Sequence, residues 1–239
     1  MAAKCECRVF GEGYDCEISI RRHGKEFRSH AEARTAPWKG EDPPLTYLRK
    51  LTRWQDGFLF VPSACGTGNA WRCRTDFVFA VRNGDLICIG NLAPYKESEG
   101  HWLTYENGLF YDVYDGLELN ELVSHAESPL FGMVMTEQSG RFVADLDRTW
   151  ELNKNYYDRC LADINQYLEG GGGASEPYRG VVSSLLHNAA LARYCDREKE
   201  LDKSLSQAKC MLSAQDFDVF RGLAYSVVPG ATHSSLPPE

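Results

Sequence analysis

Residues 101–113 read HWLTYENGLFYDV, and this stretch decides the fold class. Two apolar runs, 101–105 and 109–113, flank the dipeptide Asn107-Gly108. A type I′ turn needs positive φ at both central residues, which Asn and Gly tolerate, so Asn-Gly between apolar runs predicts an antiparallel hairpin. The same signal stands upstream, where Asn83-Gly84 separates residues 77–82 from 86–89. Two hairpins in succession predict a meander, to which residues 58–61 add a strand. Downstream, residues 130–135 and 142–146 form a further pair around Gln138-Ser139-Gly140.

Toward the N-terminus the pattern is again strand and turn. Residues 5–10, a Gly11-Glu12-Gly13 turn, residues 16–20, and His23-Gly24 leading into 26–29 read as a curled antiparallel unit. Asp42-Pro43-Pro44 opens a short helix with Leu45, Leu48 and Leu51 on one face, ending near Gly57. Residues 117–126 read as a short acidic helix.

Beyond residue 148 the period changes. Residues 149–168 are helical, with Tyr157, Leu161, Ile164 and Leu168 on one stripe that packs across the sheet. Four consecutive glycines, Gly170 to Gly173, have no side chains to bury and high backbone entropy, so residues 170–177 form a linker. Three helical stretches follow, marked by Val182, Leu185, Leu186 and Ala189, then Leu201, Leu205, Ala208 and Leu212, then Phe217, Phe220, Leu223 and Ala224. Ser213 is placed to cap the last of these. The expected architecture is α+β: an antiparallel, meander-like sheet with a packed helix in residues 1–169, and a small helical C-terminal unit in 178–239. So short a helical unit is expected to dock on the sheet or to pair with a second copy of the chain.

Bulk properties exclude several classes. At 239 residues, 43% hydrophobic and 25% charged, the chain has ordinary globular usage. No apolar run approaches the ~18 residues of a membrane span. The opening MAAKCECRVF lacks the apolar core of a secretory signal, and nine cysteines is an odd count. Cys73, Cys88, Cys160 and Cys210 stand in stretches that read as core, so a reducing, cytoplasmic setting is expected. The net charge of −8 opposes nucleic acid, and it is concentrated: residues 97–140 carry nine acidic side chains and no Lys or Arg. Cys5, Cys7, Cys16, His23 and His30 lack the paired C-x2-4-C spacing of zinc sites. The glycine pairs of Gly11-Glu12-Gly13 and Gly66-Thr67-Gly68 complete no phosphate-binding pattern. No metal or cofactor is expected.

Chemistry is concentrated in residues 65–115. His101 opens one strand, and Asp112 or Asp115 closes its hairpin partner, so a carboxylate and an imidazole can meet at one sheet end. Cys65, within Pro62-Ser63-Ala64-Cys65-Gly66-Thr67-Gly68, has small neighbours and precedes His101. In order and spacing this set resembles the cysteine, histidine, aspartate sites of the papain-like and transglutaminase-like superfamily. In that superfamily a Cys starts a helix, a His starts a strand and an Asp ends the next strand. Arg82-Asn83-Gly84-Asp85-Leu86 resembles the strand opening of its peptidoglycan-peptidase branch. The resemblance implies that Cys65 attacks an acyl or amide carbon, that His101 takes the thiol proton, and that Asp112 or Asp115 holds the ring.

Two function classes stand at this point. One is a cysteine-nucleophile hydrolase or acyltransferase built on these residues, with Cys160 as a rival nucleophile that reads better as core. The other is a non-catalytic interaction protein, an immunity or inhibitor protein, whose acidic block draws a basic protein partner through Glu106, Glu118, Glu121 and Glu127. In that second class His101 is an edge-strand residue, Asp112 and Asp115 are turn carboxylates, and Cys65 is a loop thiol.

Overall fold

A computed structural model describes residues 2–10, 13–22, 25–33, 53–65, 73–82, 85–92, 105–114, 117, 122–124, 127–170 and 176–232. They form eleven strands followed by four helices, an α+β chain with antiparallel sheets in its N-terminal part and helices in its C-terminal part. The chain divides into two compact units. One comprises residues 1–112, 135–143 and 232–239, and the other residues 113–134 and 144–231.

The first unit opens with a three-stranded antiparallel sheet, β1 (Ala2–Phe10), β2 (Gly13–Arg22) and β3 (Lys25–Ala33), in that order. In β1, Lys4, Glu6 and Arg8 alternate with Cys5, Cys7 and Val9, the two-residue period of a strand. The register sets like against like, with Ala3 opposite Ile20, Cys5 opposite Ile18, Cys7 opposite Cys16 and Val9 opposite Tyr14. A slip of one residue would put each apolar position opposite a polar one, so the alternation itself specifies the pairing.

A second sheet orders β4 (Arg53–Gln55), β5 (Phe58–Cys65), β6 (Cys73–Arg82) and β7 (Asp85–Leu92) as a meander. The β4–β5 turn is made by Asp56 and Gly57, both at positive φ (49° and 90°). Arg53 to Gln55 are therefore strand, and the helix expected to run on to Gly57 does not. A turn with positive φ at both centres returns the chain as a hairpin instead. Between Val78 and Phe79 the β6–β7 register shifts, because Ile89 is an extra residue.

The third sheet has the order β11–β10–β9–β8, from β8 (Tyr105–Glu106), β9 (Leu109–Tyr114), β10 (Phe131–Gln138) and β11 (Arg141–Ala144). Its hairpin turns are Asn107-Gly108 and Ser139-Gly140, all four residues at positive φ, as the sequence signals require. In the first unit Phe58, Phe60, Val78, Ala80, Ile89, Tyr105, Phe110, Met135 and Phe142 form one buried cluster. Phe110 is its centre, with ring centroids 4.6 Å from Tyr105, 4.9 Å from Phe142 and 5.1 Å from Phe58. Leu59 and Phe79, partners in the β5–β6 ladder, are also fully buried, so the middle of that sheet is covered on both faces.

The second unit is built on α1 (Leu146–Glu169), α2 (Glu176–Tyr194), α3 (Glu198–Met211) and α4 (Ala214–Ser226). Asp145 caps α1 by accepting from the Arg148 N–H at 3.0 Å, and Ser213 caps α4 by accepting from the Asp216 N–H at 3.1 Å. Its core joins Val182, Leu185, Leu186 and Ala189 of α2 to Leu201, Phe220 and Ala224. The buried stripe of α1 is Trp150, Asn153, Tyr157, Cys160 and Ile164, whereas Leu168 is exposed. The stripe is rotated from the expected one because two polar residues face β10. Asn153 Nδ2 donates to the Gly132 carbonyl (2.8 Å) and its Oδ1 accepts the Gly132 N–H (3.1 Å), while Thr149 Oγ1 accepts the Val134 N–H (2.9 Å).

Two other expectations change. Leu117, Leu122, Val123 and Ser124 are not helical; Leu117 and Val123 are buried in the core of the second unit. Cys210 is exposed rather than core. No helix among the described residues is long and apolar enough to cross a membrane.

Candidate functional site

Cys65 is the last residue of β5 and stands opposite Cys73, the first residue of β6. It closes a strand, and residues 66–72 after it lie outside the described residues. His101 and Asp115 lie outside the described residues. Asp112 lies on β9 and is 1% exposed. Asp112 and Cys65 belong to the same unit.

The acidic block is less uniform than its composition. Glu106 is exposed beside the Asn107-Gly108 turn. Glu127 accepts from the Ser124 hydroxyl (2.7 Å) and N–H (3.3 Å), and these bonds hold its carboxyl below the usual range. Glu137 pairs with Arg82 at 2.6 Å and also accepts the Gly140 N–H at 2.7 Å, closing the β10–β11 turn. Glu118 and Glu121 lie outside the described residues. Of the carboxylates described in residues 97–140, only Glu106 is exposed; Glu127 and Glu137 are half-buried and Asp112 is buried.

Cys160 is buried in the α1 stripe. Burial pushes its thiol up, against hydrogen bonds to Ser184 and Tyr156 that pull the other way. A nucleophilic cysteine needs the opposite shift, so Cys160 is a core residue with polar neighbours.

Those neighbours form a cluster that pattern reading passed over. His187, 4% exposed, packs edge-on against the Tyr156 ring at 4.5 Å and faces Phe131 at 6.1 Å. Its Nε2 meets no hydrogen-bond partner among the described residues, and neither does Asn188 Oδ1. Asn188 Nδ2 donates to the Tyr157 carbonyl at 3.3 Å. Burial alone lowers the His187 pKa to about 4. With the thiol pushed up and the imidazole pushed down, both groups are held neutral, and the thiolate–imidazolium state of a catalytic pair is disfavoured from each side. The available signal was a His-Asn pair inside the apolar run LLHNAALA, residues 185–192.

No cluster of three or more His, Cys, Asp or Glu among the described residues is close enough to hold a metal ion. No family model, curated protein or solved structure matches the chain.

Proposed function

We propose that this chain is a cytoplasmic cysteine-nucleophile hydrolase or acyltransferase acting on an amide or acyl substrate. Cys65 is its nucleophile. His101 takes the thiol proton as the sulfur attacks the carbonyl carbon and returns it to the leaving group, and Asp112 orients the imidazole. The observation that carries this reading is the burial of Asp112, 1% exposed on β9, in the unit that also holds Cys65. Aspartate is almost never buried this fully unless it is paired, because desolvating a carboxylate costs several kcal/mol unless it is compensated, and in this reading the His101 imidazole is among its partners.

The test is a map of alkylation rates. Reduced protein is treated with iodoacetamide at pH 7 and labelling is followed at each cysteine by peptide mass spectrometry. Cys65 is expected to react faster than Cys210, the exposed thiol that serves as internal reference. His101→Ala is expected to slow Cys65 at least tenfold and leave Cys210 unchanged. Equal rates at Cys65 with and without His101 would end the proposal.

A second reading is favoured by the exposure of Glu106: a non-catalytic interaction protein that binds a basic protein partner. It requires salt-sensitive capture of that partner, lost when Glu106, Glu118, Glu121 and Glu127 are all changed to Lys. Capture insensitive to salt would exclude it.

A further inference from the structure

The six cysteines carried by strands are not scattered in the ladders. Cys7 of β1 stands directly opposite Cys16 of β2, and Cys65 of β5 directly opposite Cys73 of β6. Cys5 faces Ile18, and Cys88 faces Phe79. Directly opposed positions in an antiparallel pair have Cα atoms about 4.5 Å apart at non-hydrogen-bonded sites and about 5.5 Å at hydrogen-bonded ones. Both separations fall inside the range of about 4.4–6.8 Å that a disulfide spans. Either kind of ladder site therefore brings the two backbones to bridging distance without movement.

We propose that Cys65–Cys73 and Cys7–Cys16 are two cross-strand dithiol–disulfide couples, oxidised and reduced reversibly by exchange with small-molecule disulfides. The loops they close are short, residues 7–16 and 65–73, so each bond constrains the unfolded chain less than a long-loop disulfide would.

The step balances with a small-molecule disulfide as oxidant. The thiolate of one cysteine attacks a sulfur of that disulfide, breaks its S–S bond and expels one thiolate. The opposed cysteine then attacks the mixed disulfide, forms the protein S–S bond and expels the second thiolate. The two protons lost by the cysteines go to the two small thiols released. Resting on the nucleophile reading in this one respect, the Cys65–Cys73 bond also removes the thiol assigned to catalysis, and reduction restores it.

The experiment equilibrates the full-length chain in glutathione buffers of increasing oxidised fraction, blocks free thiols by alkylation, and maps linked peptides by mass spectrometry. The expected result is two cross-linked species, Cys7 with Cys16 and Cys65 with Cys73, each lighter by two hydrogens and both lost on addition of dithiothreitol. Cys5, Cys88, Cys160, Cys195 and Cys210 are expected to be recovered alkylated. Linkage to other partners, such as Cys5 with Cys16, or no linkage at any ratio, overturns the proposal. Ile18→Cys, which puts a cysteine opposite Cys5, is expected to add a third bridge to Cys5 under the same conditions; failure to do so overturns the register argument. Cys73→Ser separates this proposal from the catalytic one: it is expected to abolish the Cys65 cross-link while the reduced protein keeps its Cys65 alkylation rate. Loss of that rate in His101→Ala alone would leave the redox couples untouched.

Discussion

His187 makes stability depend on pH in a way that can be worked through. The ring is 4% exposed, its neighbours are the Tyr156 and Phe131 rings, and burial lowers its pKa from 6.5 to about 4. Above pH 6.5 the imidazole is neutral in both folded and unfolded chains, and the histidine contributes no pH dependence. As pH falls from 6.5 toward 4, the unfolded chain binds a proton that the folded chain refuses, so stability drops with falling pH. The loss is complete below the folded pKa. A shift of this size corresponds to about 3 kcal/mol, a large share of a typical domain's total. His187→Gln removes the titrating group. The assay is urea unfolding of wild type and variant, followed by helical circular dichroism at pH 7.5, 5.5 and 4.5. Carboxylates common to both proteins cancel in the difference. The stability gap, wild type minus variant, is expected to shift against the wild type by about 2.5 kcal/mol between pH 7.5 and pH 4.5. A gap independent of pH, or a folded-state imidazole resonance that titrates near 6.5, would refute the reasoning.

Two further substitutions probe the frames of the two units. Asn153→Ala removes the side chain that bonds both backbone groups of Gly132, leaving a buried N–H and C=O unmet, and is expected to cost about 2–4 kcal/mol in urea unfolding read by helical circular dichroism. A cost below about 0.5 kcal/mol would show that the α1–β10 bonds are not structural. Phe110→Ala empties the centre of the aromatic cluster and is expected to destabilise the first unit by about 3–5 kcal/mol, measured by hydrogen exchange of β5 and β6 amides. Unchanged protection there would show that the cluster does not support that sheet.

Local chemistry was legible in the chain, and the reason is that it needs only a few neighbouring residues. Asn107-Gly108 and Ser139-Gly140 make positive-φ turns by their own backbone preferences, and Ser213 caps α4 by bonding a backbone group three residues away. The alternation of charged and apolar residues in β1 and β2 likewise marks strands wherever they pair. For the same reason the α+β class and the switch from sheet to helix near residue 146 could be read directly.

What tertiary structure decided concerns groups far apart in sequence. The period of α1 pointed to Leu161 and Leu168, but Thr149 and Asn153 are turned inward by backbone groups of β10, fifteen and twenty-one residues away, and the buried face rotates with them. Residues 53–55 went to hairpin pairing and Leu117 and Val123 to core burial instead of the helices expected there, which no local propensity encodes. Composition showed that 97–140 is acidic, yet only folding assigned Glu137 to Arg82, Glu127 to Ser124 and Asp112 to the interior. Cys65 and Cys73 are eight positions apart in sequence and face each other only because antiparallel register, set by the alternation of whole strands, puts them there. Sequence thus determined which residues turn, cap and alternate; packing determined which of them meet, because burial is decided by the partner surface and not by the segment alone.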